Sequence, residues 1–167
     1  EREAMAARDR GFDPHQTVPL LAQALLAQGK FQQLLDTLKP DGKDSQLDAA
    51  ILVSRGYALI GLRRNDDAQR AFTEAEQAAP NAVEPLLADA RLAASKGDVA
   101  GALSKVDRAI AAQPKSVEAI LAKGQLLRQK GDVATALTLL DTLIKDQPSV
   151  MQARLDRAVL EIATGKT

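Results

Sequence analysis

A chain of 167 residues carrying 22 basic and 22 acidic side chains has no formal net charge, which argues against nucleic-acid binding, because phosphate recognition needs a basic excess or stripe. Cysteine is absent, which excludes disulfides and thiolate metal sites and is compatible with either cytoplasm or periplasm. Aromatic residues make up only 2% of a composition dominated by helix formers, so helices must pack closely through Ala and Leu.

In chain order, residues 1–14 read as an N-terminal helical remnant too short to place. The sequence starts at Glu1 without a methionine and stops just after a helix that ends near Gly165. It reads as a piece of a longer protein, and a missing signal peptide then says nothing about compartment. The following run, VPLLAQALLAQ, is broken by Gln23 well short of the roughly 18 apolar residues a membrane span needs, so direct membrane insertion is not expected. Residues 15–48 form a degenerate repeat, with a helix stop at Gly29 and an irregular connector, KPDGKDSQ, that carries Pro40 six residues ahead of its phase.

Three blocks of 34 residues then align without a gap, at 49–82, 83–116 and 117–150. Pro80, Pro114 and Pro148 share one phase, a coincidence of about one in 400 at average proline usage. Ala68, Ala102 and Ala136 form a second column, and the small residues Gly56, Ala90 and Gly124 a third. Gly29, Gly97, Gly131 and Gly165 share a further phase that only Arg63 breaks. Each block reads as two helices. The first ends at a glycine able to adopt the left-handed conformation. Asp98 or Asp132 then caps the second, which stops before proline. The small column gives the paired helix room for close approach. Residues 151–167 read as the first helix of a truncated repeat.

These columns resemble the tetratricopeptide repeat (TPR), a 34-residue helix–turn–helix unit. The resemblance rests on Gly56, Ala90 and Gly124, on the Gly-Asp turn, on the Ala68 and Ala75 columns and on the prolines. The family's tryptophan slot instead holds Leu52, Leu86 and Ile120, and its tyrosine slot Leu59, Ala93 and Leu127, all of which keep those sites apolar. The resemblance implies an all-α, right-handed solenoid of about nine helices in stacked antiparallel pairs. It also implies a concave groove lined by the first helix of each repeat. The candidates at its positions are Val53, Tyr57 and Ile60, then Glu84, Leu87 and Arg91, then Glu118, Leu121, Gln125 and Arg128. Tyr57 is the only tyrosine, an amphipathic aromatic suited to recognition. Arg91 and Arg128 are placed to meet a carboxylate of the partner. The slots that hold Lys and Asn in TPR units gripping chaperone tails hold Val53, Leu87 and Leu121, then Tyr57, Arg91 and Gln125, so that clamp is missing.

Chemistry is hard to find elsewhere. The closing TGKT ends like a phosphate loop, but Leu160 stands where that loop needs glycine. His15 is the single histidine, a poor transition-metal site by itself. DGKD at 41–44 lacks the spaced oxygen ligands of a calcium loop. No nucleophile triad is apparent. The expectation is therefore a non-catalytic scaffold with no cofactor and no metal, binding a protein or peptide partner, with self-association open.

The order LLAQALLAQGKFQQLLDTLKP, SRGYALIGLRRNDDAQRAF and ARLAASKGDVAGALSKVDRAIAAQPKSVEAILAKGQLL is further similar to the TPR lipoproteins of bacterial exosortase/PEP-CTERM systems. That resemblance implies a cell-envelope role in exopolysaccharide export or protein sorting, in the periplasm or anchored to the outer membrane of a Gram-negative bacterium, with the cytoplasm left open. The alternatives are a substrate-recruiting arm of a larger enzyme such as a glycosyltransferase, or a self-association module.

Overall fold

The computed structural model describes residue 6 and residues 10–165. Most of the expected N-terminal remnant, and Lys166 and Thr167 of TGKT, lie outside the described residues. Among the described residues there are helices and no strands. Nine helices have defined bounds: α1 Pro14–Ala27, α2 Phe31–Thr37, α3 Ser45–Gly61, α4 Asn65–Ala78, α5 Val83–Ser95, α6 Val99–Ala112, α7 Val117–Lys130, α8 Val133–Asp146 and α9 Met151–Ala163. The second helices α2, α4, α6 and α8 start at 34-residue intervals, as do the first helices α5, α7 and α9.

The turn between paired helices is the same device repeated. At Gly29, Gly97 and Gly131 the backbone is left-handed, with φ of +67°, +85° and +85°. Arg63, where glycine is missing, takes the same conformation at φ +60°. In all four turns the next residue's N–H reaches back five residues: Lys30 to Leu25, Arg64 to Leu59, Asp98 to Ala93 and Asp132 to Leu127. This arrangement satisfies carbonyls that the helix end leaves orphaned. Asp98 and Asp132 then cap α6 and α8, accepting from the N–H of Gly101 (2.8 Å) and Thr135 (3.3 Å). At α7 the Ser116 hydroxyl accepts from Ala119 N–H.

The irregular connector departs from the pattern for a visible reason. Helix α3 begins at Ser45, one turn ahead of the block boundary at 49, because Asp44 caps it through the N–H groups of Gln46 and Leu47. Asp48, buried in the first turn, accepts from Asp41 N–H (2.9 Å) and Gly42 N–H (2.8 Å). A buried carboxylate that accepts two backbone donors ties the loop to the helix.

The chain divides into two compact units, residues 1–88 and 89–167. In the first, α3 packs with α1, α2 and α4. Phe72 on α4 is fully buried, and a Cβ at Gly56 on α3 would lie 2.2 Å from its ring. Only glycine fits there. In the second unit, Leu127, Ala136, Leu140, Leu143, Ala153 and Leu160 form a core shared by α7, α8 and α9. A Cβ at Gly124 would meet Leu140 at 3.6 Å, an ordinary contact. The expected close approach at the small-residue column is therefore strict at Gly56 and relaxed at Gly124, because leucine is slimmer than the phenyl ring it replaces.

Candidate protein-binding surface

The first helices carry the candidate residues, and burial sorts them. On α3, Val53 is 2% exposed, and on α5 Leu87 is 0% exposed. Both belong to the core and cannot touch a partner, which corrects the expectation that they line a groove. Apolar side chains at those positions gain more from burial than a binding surface can leave exposed. Tyr57 and Ile60 are half-buried. The Tyr57 ring stands edge-on to Phe72, with centroids 5.5 Å apart at 67°, so it supports the α3–α4 packing while leaving part of itself accessible. Glu84 on α5 is exposed.

In the second unit, Arg91 on α5 is exposed but already engaged: its guanidinium donates to Glu118 on α7 at 2.7 Å. Both side chains remain exposed, so a partner at this position would meet Arg91 together with Glu118. Glu118, Leu121, Gln125 and Arg128 occupy one face of α7, at helical spacing. Leu121 is half-buried, and Gln125 and Arg128 are exposed. Arg128 has no ion-pair partner among the described residues.

The same positions one repeat on hold Leu155, Val159 and Ile162, exposed by 55%, 42% and 70%. With Met151, 71% exposed, they form an apolar stripe along α9. Sequence reasoning missed this stripe, although the 34-residue offset from Leu121, Gln125 and Arg128 points directly at it. Arg157 anchors α9 to α8 through Asp141 (2.5 Å), which holds the guanidinium pKa above its usual value. Arg157 also pairs with Glu161.

The polar groups set aside as chemistry have structural roles. The exposed His15 ring lies 2.7 Å from Asp44. Asp44 is held below the ordinary carboxylate pKa, first by the N–H of Leu47 and then by His15. Asp67, in the first turn of α4, is bridged by Arg64 and Arg70, and the hydrogen bond from Arg64 chiefly lowers its pKa. Among the described residues no group of three or more His, Cys, Asp or Glu is gathered as a metal site would require. No described helix is long and apolar enough to cross a membrane.

Comparison with known proteins agrees with this geometry. Two models of the tetratricopeptide repeat match residues 93–159 and 53–117, together more than half of the chain. The chain belongs to the tetratricopeptide repeat family, and its fold is an all-α TPR solenoid. A search of curated proteins returns no match.

Among solved structures it is similar to TTC0263, a TPR protein of Thermus thermophilus, at 17% identity and TM-score 0.76, covering 95% of this chain and 86% of that one. It is also similar to YrrB, a TPR protein with an unusual peptide-binding site, at 17% identity and TM-score 0.60, covering 99% and 85%. A third similar structure is the first TPR of Spaghetti (RPAP3) bound to the HSP90 peptide SRMEEVD, at 17% identity and TM-score 0.64, covering 72% and 98%. At these identities the likeness concerns the fold.

Proposed function

We propose that this chain is a non-catalytic protein–protein interaction scaffold that takes a peptide or amphipathic helix on the exposed faces of its first helices. The observation that carries this reading is the α7 face, where half-buried Leu121 lies beside Gln125 and Arg128, a cation with no ion-pair partner among the described residues. Such a face favours a segment with one apolar side and an acidic residue placed to meet the guanidinium. Structural neighbours that bind peptides support the general reading. An acidic chaperone tail is a poor fit, since two of the slots such a clamp uses are the buried Val53 and Leu87.

A photocrosslinker at Gln125 is expected to trap a discrete partner that the same probe at Thr138, exposed on α8, does not trap. Arg128→Glu should reduce that adduct while leaving the helical circular-dichroism signal unchanged. Equal adducts from both positions, or an adduct indifferent to Arg128→Glu, would sink the proposal.

The finer reading, a scaffold of envelope export or assembly, rests on the resemblance to exosortase-linked lipoproteins. Its test is fractionation of the producing cells, where the envelope fraction is expected to hold the protein and recovery in the cytosol would reject the assignment.

A further inference from the structure

Two ion pairs meet on α6 from neighbouring helices. Lys105 pairs with Asp89 of α5, and Asp107 pairs with Lys123 of α7 at 2.7 Å. Residues two apart on a helix point to opposite sides, so α6 offers a cation to the helix before it and an anion to the helix after it. Asp89 and Lys123 are the same repeat position, 34 residues apart, with opposite charges. The Lys123–Asp107 arrangement recurs one repeat on as Arg157–Asp141. The reversed pair occurs once among the described residues, and its carboxylate is the most deeply buried of these groups, with the Asp89 side chain 1% exposed.

This reversal matters because the turn that follows each first helix does not tell the two repeats apart. The turns after α5 and α7 share the pentapeptide KGDVA, and the two helices have 13 and 14 residues. The shared C-terminal turn and the near-equal helix length therefore leave the choice of side on α6 to the contacts made across it, within one chain or between two. Charge disfavours the exchange. With α7 in the place of α5, Lys123 would face Lys105; with α5 in the place of α7, Asp89 would face Asp107. We propose that the reversed Asp89–Lys105 pair is a register key that enforces repeat order during folding, making each wrong docking around α6 a like-charge contact.

The test uses the whole chain and the more exposed of the two pairs, whose side chains are 30% and 54% exposed. Exchanging them, Lys123→Asp with Asp107→Lys, keeps the native attraction but makes both wrong dockings attractive. After dilution from denaturant, light scattering coupled to gel filtration should show roughly tenfold more swapped or misassembled species than the parent chain forms. Adding Asp89→Lys and Lys105→Asp restores like-charge clashes at both wrong dockings, and refolding should return to the parent distribution. A double variant that refolds like the parent overturns the key. So does a quadruple variant that misassembles as much as the double. If the double variant yields no native protein, recovery in the quadruple supports the key and failure to recover overturns it.

Discussion

Arg63 occupies the one turn of its kind where the chain lacks glycine, and Arg63→Gly should make the protein more stable. With φ at +60°, the Arg63 backbone is left-handed, a conformation that costs an L-residue about 1–2 kcal/mol relative to its preferred regions. Glycine removes that strain but gains freedom in the unfolded chain, which takes back about 0.5–1 kcal/mol. The Arg63 side chain is exposed and makes no hydrogen bond or ion pair among the described residues, so no contact is lost to offset the gain. The net expectation is a gain of about 0.5–1 kcal/mol. For a chain of this length, that raises the melting temperature by about 1–4 °C. Thermal and urea melts followed by circular dichroism measure it. The reciprocal change, Gly131→Ala at φ +85°, should lower stability by about 1 kcal/mol or more. A melting temperature that falls or stays level in Arg63→Gly, or a neutral Gly131→Ala, would refute the strain argument.

Gly56→Ala places a Cβ 2.2 Å from the Phe72 ring and should cost about 1–3 kcal/mol by overpacking. Adding Phe72→Leu should recover part of that loss in urea midpoints, because leucine opposite Gly124 leaves 3.6 Å; no recovery would mean the ring is not the obstacle. Asp41, Asp44 and Asp67 have folded pKa values below their ordinary 3.8, by hydrogen bonds from Lys43, from Leu47 and His15, and from Arg64. Their stabilisation is thus complete above that value and is lost as pH falls through the lower folded values. Stability measured against pH should therefore decline below about pH 4, and Asp44→Asn should flatten the decline. An unchanged acid profile in that variant would remove Asp44 from the account.

The sequence by itself determined the repeat. Proline, glycine and small-residue columns at 34-residue spacing mark where helices stop, turn and touch, because those residue types act through backbone geometry that any neighbour context preserves. Gly97, Asp98 and their counterparts Gly131 and Asp132 behave as local chemistry dictates. What only the tertiary structure decided is exposure and pairing. Val53 and Leu87 share a helix phase with Arg128, yet the first two are core residues and the last is open to solvent. Arg91 has the helix position of a groove cation, yet Glu118 of the next first helix stands beside it. The strictness of Gly56 depends on which side chain stands across from it on the next helix. Periodicity fixes the direction in which a side chain points, but burial and charge compensation depend on what the neighbouring helix brings to the same place, and that is settled only when the helices pack.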